Sequence, residues 1–463
     1  MRKILFLLIA VISFISCNDD DFESVFEKSP EERIAEANKK YKDLLTSSEF
    51  GWETNYFAVS ESSMQGSTMI MKFNADGQVS ILGDHTKIRE TSEYIIHQEA
   101  STQIKFSTYN KNLTWLATPD RYNPEGMGGE IEFVFISSTE DEIIMEGKVN
   151  KGKLIFKKTN RTELPFWNFQ AIKDQLLALK SNGFMAFQIE GDSKNKYGFE
   201  FDASNNNASI SYNADEQLFK EERAVIFTTE GLIFNEPLIL NGKEVSSLSY
   251  TGEIEKVEVA PNSGDKEYNI KTAGDFIYKD SNIELKIVNV PVPVFYTPGI
   301  IEKFEKNEYA RIYFSREAFS GYMTAIKSEV TSFNRMFLLN NYDDGTIVGP
   351  GLNITFKNGN QAVINYEMIK KGSGVVQFIF GETQIVVNSD LVDNPDTEIN
   401  EIEVEREAVL SNLQNSPGLQ NYIAEMSKES GYLVYQKPFM FGASIFDFVS
   451  VDNPLNSFGA LGY

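Results

Sequence analysis

The segment YKDLLTSSEFGWETNYF at 41–57 returns as IKDQLLALKSNGFMAFQI at 172–189, and this recurrence restricts the architecture more than any other feature of the chain. Lys42-Asp43 falls on Lys173-Asp174, Leu44-Leu45 on Leu176-Leu177, Gly51 on Gly183 and Trp52 on Phe184. The parallel continues downstream. MKFNADGQVSI (71–81) matches FEFDASNNNASI (199–210), and FSTYNKNLTWLATP (106–119) matches FTTEGLIFNEPL (227–238). Each copy begins with a helical pattern and passes into short runs of period-two alternation broken by Gly, Asn and Asp, the pattern of antiparallel strands. NADG between two alternating runs predicts a hairpin.

Pro30 to Ser47 reads as the first helix. Ser29 is its N-cap, Pro30 occupies the first helical position, and Glu31 and Glu32 favour the positive end of the dipole. A fainter third copy follows Pro298. Its helix is expected near Arg316 to Ser332 and its hairpin in LNITFKNGNQAVINY (352–366). GYLVYQKPFMF (431–441) parallels GLIFNEPLIL (231–240), with an insertion between these landmarks near 367–428. The expected class is α+β with β predominant: tandem units, each an N-terminal helix followed by an antiparallel sheet that is curled or sandwiched. The units are 30–163, 164–297 and 298–463.

Ahead of them, Arg2 and Lys3 precede the apolar run Ile4 to Ile15, which has signal-peptide length and is too short to span a bilayer. Phe14-Ile15-Ser16 before Cys17 resembles a bacterial lipobox, with Phe14 where Leu is preferred. The expectation is a lipoprotein signal over 1–16, lipid attachment at Cys17 and an acidic tether over 17–29. Two or three acyl chains anchor stably where one is marginal. Asp19, Asp20 and Asp21 resemble the surface-export signal of Bacteroidota lipoproteins, which places the protein at the outer membrane and on the cell surface.

Cys17 is the only cysteine, so a lipidated chain has no thiol left for disulfides, a thiolate nucleophile or Cys-ligated zinc. Removal of Arg2 and Lys3 takes the net charge from −24 to −26, which argues against nucleic acid. The two histidines, His85 and His97, match no ligand spacing and read as unrelated surface imidazoles. With 67 acidic residues, carboxylate pairs such as Glu130 and Glu132, or Glu253 and Glu255, read as solvated sheet faces; a glycosidase needs one of two facing carboxyls with a raised pKa. YDDGTIVGP (342–350) resembles the start of a calcium loop. It fails, because the count places Gly351 where the bidentate glutamate belongs. No metal site, cofactor or catalytic residue is assigned. Trp115 and Tyr122, in the loop-flanked LTWLATPDRYNPEGMGG, are the candidate ligand contacts, since loops on a rigid sheet commonly carry binding.

On the lipobox, on FEKSPEERIAEANKKYKDLLTSSEFGWETNYF (26–57), FSTYNKNLTWLATP and GGEIEFVFIS, the chain resembles a family of Bacteroidota lipoproteins known as domain of unknown function forty-three-oh-two. Glu130 stands where the family pattern has aspartate, and Thr114 lies near a position that often holds histidine. The resemblance implies an accessory component beside outer-membrane nutrient importers. The function expected is therefore a lipid-anchored, surface-exposed, non-catalytic binding or accessory protein of a nutrient-uptake system, possible partners being an importer complex and a glycan, peptide or metal ligand. The alternatives are a carboxylate-dependent glycan hydrolase and a structural or adhesive surface protein.

Overall fold

A computed structural model describes residues 28–60, 64–119, 126–180, 183–192, 196–257, 267–280, 283–313, 317–388, 400–438, 444–453 and 455–462. Cys17, Asp19, Asp20, Asp21 and Tyr122 lie outside the described residues. The chain divides into two compact units, Met1–Leu164 and Pro165–Tyr463.

The first unit opens with helix α1 (Pro30–Thr46). Its start is fixed by a reciprocal cap: Ser29 Oγ accepts from the Glu32 N–H at 3.2 Å, and Glu32 Oε2 accepts from the Ser29 N–H at 2.9 Å. Eight strands follow: β1 (Trp52–Val59), β2 (Met64–Phe73), β3 (Gln78–Gly83), β4 (Arg89–Gln98), β5 (Thr102–Phe106), β6 (Glu132–Ser138), β7 (Glu142–Gly147) and β8 (Lys153–Lys158). Each pairs antiparallel with the next, and β8 returns to β1 with Trp52 opposite Lys158, so the sheet closes as a barrel. Closure leaves no sheet edge exposed to pairing with other chains.

Alternation decides what fills the interior. Along β1, Trp52, Thr54, Tyr56 and Ala58 are buried, and along β8, Leu154 and Phe156. Aromatic rings meet edge to face inside, as Tyr56 does on Phe133 at 5.4 Å and Phe73 on Tyr94 at 5.0 Å. An eight-stranded barrel is just wide enough for such a core, so this one is packed and not an open channel. α1 closes one end. Leu45 is buried, its carbonyl accepts from Trp52 Nε1 at 2.8 Å, and Tyr41 stacks on Phe135.

The second unit contains two more closed barrels. Helix α2 (Phe166–Lys180) precedes one made of β9 (Phe184–Ile189), β10 (Tyr197–Asp202), β11 (Asn207–Ala214), β12 (Gln217–Phe227), β13 (Gly231–Leu240), β14 (Lys243–Tyr250), β17 (Phe276–Lys279) and β18 (Glu284–Val290). A separate hairpin of β15 (Glu253–Lys256) and β16 (Tyr268–Thr272) leaves it between β14 and β17. The other barrel comprises β19 (Tyr309–Tyr313), β20 (Phe333–Leu339), β21 (Gly351–Phe356), β22 (Gln361–Lys370), β23 (Val375–Val386), β24 (Tyr432–Pro438), β25 (Ser444–Ser450) and β26 (Ser457–Gly462). Phe184, Val290, Tyr435 and Val449 from the two barrels pack in one apolar cluster.

The chain is thus β-predominant and antiparallel, with its three main sheets closed as barrels where curling or sandwiching was expected. Two local expectations change. The helix expected near Arg316 to Ser332 forms as α4 (Glu317–Glu329), but it follows the first strand of its barrel; the element ahead of that strand is the short α3 (Ile300–Glu305). The insertion expected near 367–428 narrows to the segment between β23 and β24, because residues up to Val386 continue the β22–β23 ladder. There α5 (Glu401–Gln414) and α6 (Pro417–Met426) lie against β23, and β23 meets β24 only at Val375–Leu433 and Val376–Tyr432. Among the described residues no helix is long and apolar enough to cross a membrane.

Candidate functional site

The end of the first barrel opposite α1 is closed by the long β5–β6 connection, and its sequence NKNLTWL explains how. Leu113 and Leu116 are fully buried and belong to the barrel core. The asparagines just before them are locked to the β3–β4 side. Asn112 Nδ2 donates to the carbonyls of Ile81 at 3.0 Å and Ile88 at 2.9 Å, while its Oδ1 accepts from the Gly83 N–H at 3.1 Å. Asn110 Oδ1 accepts from the Asn112 N–H at 3.0 Å, and Thr114 Oγ1 donates to the Asn110 carbonyl at 2.7 Å. A buried amide with every group bonded is a rigid fastening. Gly129 returns against this plug: a Cβ there would lie 2.4 Å from the Leu116 carbonyl carbon, so only glycine fits.

Beside the plug lies a cleft of about 660 Å³. One wall is Phe106 to Tyr109 with Ala117 to Pro119; the other is Gly129 to Glu132 with the β7–β8 turn, Lys148 to Asn150. Tyr109 and Val149 are 63% and 76% exposed, so the rim presents apolar surface to solvent. The volume suits a small molecule, and an apolar lining with a few polar groups is the usual composition of such sites.

Two carboxylates line the cleft, and they do different work. Glu130 is buried. Its Oε2 accepts from the Val149 N–H at 2.6 Å and its Oε1 from the Asn150 N–H at 2.8 Å, which fastens the β7–β8 turn. The Glu130 N–H donates to the Tyr56 hydroxyl at 2.8 Å, and burial raises the Tyr56 pKa. Gly147 provides the space, since a Cβ there would stand 1.9 Å from Glu130 Oε1. Glu132 faces outward into a charge network. It meets Lys105 at 2.5 Å and Lys148 at 3.0 Å, and Lys148 also meets Glu99 at 2.9 Å. Lys105 and then Lys148 hold the Glu132 carboxyl below its ordinary range, and Glu99 and Glu132 raise the Lys148 ammonium. A general acid requires a carboxyl raised above its ordinary value. Glu132 is shifted the other way, and both Glu130 oxygens are committed to backbone amides. The remaining acidic pair, Glu253 and Glu255, sits on the β15–β16 hairpin, where Glu255 pairs with Lys271.

Trp115 lies in the short 3-10 turn Thr114–Leu116 and does not line the cleft. Its ring stacks on His85 at 3.8 Å with planes 8° apart, and its Nε1 is buried without an acceptor. His97 is on β4, away from that stack in sequence and strand. No group of three metal-binding side chains occurs among the described residues. In the 342–350 loop, the Asp344 carboxylate accepts from Thr346 and Ile347 N–H groups of its own turn, which lowers its pKa. The residues missed by sequence reasoning are Asn112, Glu130 as a turn clamp, and Lys148. Only the spacing of NKNLT within a turn-rich segment offered a sign of the first, and nothing local pointed to the others.

A family model described as Domain of unknown function (DUF4302) matches residues 22–252, and the chain belongs to that family through this region. The matched residues contain the whole first barrel and the second as far as β14. No curated protein matches the chain.

Proposed function

We propose that the chain is a lipid-anchored, surface-exposed binding or accessory protein of an outer-membrane nutrient-uptake system, built from tandem helix-plus-barrel units, and that the cleft beside the first barrel's plug is its ligand site. The observation that carries this reading is the half-open cleft with an exposed apolar rim and a fastened turn on one wall. Rigid walls reduce the ordering cost of binding, and exposed Tyr109 and Val149 supply apolar surface for a ligand to cover. Anchoring rests on the Arg2 to Asp21 sequence, with lipid on Cys17. Binding is favoured over glycan hydrolysis because the Glu132 carboxyl is held below its ordinary range by Lys105 and Lys148, and both Glu130 oxygens are taken up by backbone amides.

Two measurements test the reading together. Metabolic labelling with palmitate, with Cys17→Ser as control, and protease shaving of intact cells report anchoring and exposure. Calorimetric titration with glycans, peptides and divalent metals reports capture, and Tyr109→Ala or Val149→Asp should weaken it at least tenfold. An unlipidated intracellular protein with no saturable ligand overturns the proposal.

A further inference from the structure

The cleft beside the plug opens where β5 and β6 part. Their ladder runs from Gln103–Val134 to Lys105–Glu132 and ends on the bond from the Phe106 N–H to the Ile131 carbonyl at 2.9 Å. Beyond it each strand is fastened to a different neighbour. The Ser107 N–H donates to the Glu93 carbonyl on β4 at 2.8 Å, and the Gly129 N–H donates to the Leu116 carbonyl of the plug at 3.0 Å. We infer that an extended, uncharged peptide binds in this gap and bonds through its backbone to both parted walls. This names the ligand class for the cleft, and it rests on the reading of that cleft as a binding site.

Unpaired backbone groups carry the inference. Among the described residues the N–H groups of Thr108, Tyr109 and Ile131 donate to no acceptor. All three residues line the cleft and are exposed. In an antiparallel ladder the N–H and C=O of one residue point to the same edge, and those of the next residue point to the other. The Ile131 carbonyl faces β5, so its N–H does too. The Ser107 N–H faces β4, so the N–H and C=O of Thr108 face the opposite way, across the cleft. Unpaired edge groups are a template for an added strand. Carbonyls of an extended peptide alternate between its two edges, so one chain accepts from Thr108 on one side and from Ile131 on the other.

The charges and the rim narrow the class. Glu130 holds two turn amides, Glu132 meets Lys105 and Lys148, and Lys148 also meets Glu99. A charged ligand group would find no free counter-charge and would compete with a pair already made. Tyr109, Ile131 and Val149 add exposed apolar surface on both walls, for the side chains that alternate along an extended chain.

The test is calorimetric titration of the full chain with three blocked pentapeptides and two saccharides. The peptides are acetyl-Ser-Val-Thr-Val-Ser-amide, acetyl-Thr-Ile-Gln-Ile-Thr-amide and acetyl-Asn-Phe-Ser-Phe-Asn-amide; the saccharides are maltose and N-acetylglucosamine. At least one peptide should bind saturably, since backbone bonds are common to all three. N-methylation of its three central residues, which removes the backbone donors and keeps the side chains, should weaken it at least tenfold. Val149→Asp in the protein should weaken it at least tenfold as well. If no peptide binds while a saccharide does, and Val149→Asp weakens that saccharide, the inference is overturned and the cleft remains a binding site for another class. It is also overturned if the methylated peptide, or the parent peptide on Val149→Asp, keeps full affinity. If no probe binds at all, the reading of the cleft as a binding site falls and the inference falls with it.

Discussion

Replacing Glu130 should separate a carboxylate that fastens a turn from one that merely lines a cleft. The structure gives it two acceptor bonds, one per oxygen, to the consecutive N–H groups of Val149 and Asn150. Hydrogen bonds to charged groups contribute about 1.5–3 kcal/mol each. The turn is open to solvent, as the exposure of Val149 shows, so water replaces part of the loss and the lower end applies. Glu130→Ala should therefore cost about 3 kcal/mol. Glu130→Gln should cost about half of that, because an amide has one oxygen to accept and its NH₂ would face the second N–H. Gly147→Ala should be destabilising in the parent, where the new methyl meets Glu130 Oε1, and far less so in Glu130→Ala, where that oxygen is gone. Urea unfolding followed by tryptophan fluorescence suits the measurement, since Trp52 and Trp115 both lie in the first unit. A shift in midpoint at constant slope is expected. The reasoning is refuted if Glu130→Ala costs less than about 0.5 kcal/mol, the range of ordinary surface changes, or if the Gly147 and Glu130 effects simply add.

Leu45→Ala should destabilise the first unit by about 2–5 kcal/mol, as for other large-to-small core changes, because Leu45 is buried where α1 closes the barrel; an unchanged unfolding midpoint would show that α1 is dispensable. Lys105 and Lys148 depress the Glu132 carboxyl in the folded state, so its contribution is complete above the ordinary carboxyl value of 4.5 and fades as pH falls through the lowered value. Glu132→Gln should lower stability by a constant amount above about pH 4.5 and converge with the parent as pH falls through the lowered value, and a parallel displacement of the whole curve would contradict this. Tyr109→Ala, at an exposed rim, should leave stability within about 0.5 kcal/mol, so any lost ligand binding can be read as lost contact; a larger drop in midpoint would mean that the ring supports the fold.

Some local structure was legible because its causes are local. The capping box at Ser29 and Glu32 needs only residues three apart, and the NADG turn between β2 and β3 needs only its own backbone, with Gly77 at φ +87°. The hairpin at 352–366 is of the same kind. Only the loop composition around Trp115 points to it as a contact. Its stacking on His85 depends on two connections, β3–β4 and β5–β6, meeting at one barrel end, which no single window contains. Glu130 and Glu132 looked alike as neighbours on one face, yet one is buried under the β7–β8 turn and the other is held among lysines.

The sequence by itself determined the strand periodicity, the turn positions and the family, because hydrophobic alternation and turn chemistry are written residue by residue. Whether those strands would stack as sandwiches or close as barrels was decided only in three dimensions. Closure depends on the last strand of each set finding the first, as Trp52 finds Lys158 across more than 100 residues, and that pairing is set by the twist and register accumulated over all eight strands. The same closure brought the β5–β6 plug against the β7–β8 turn, and so created a cleft whose walls are distant in the chain.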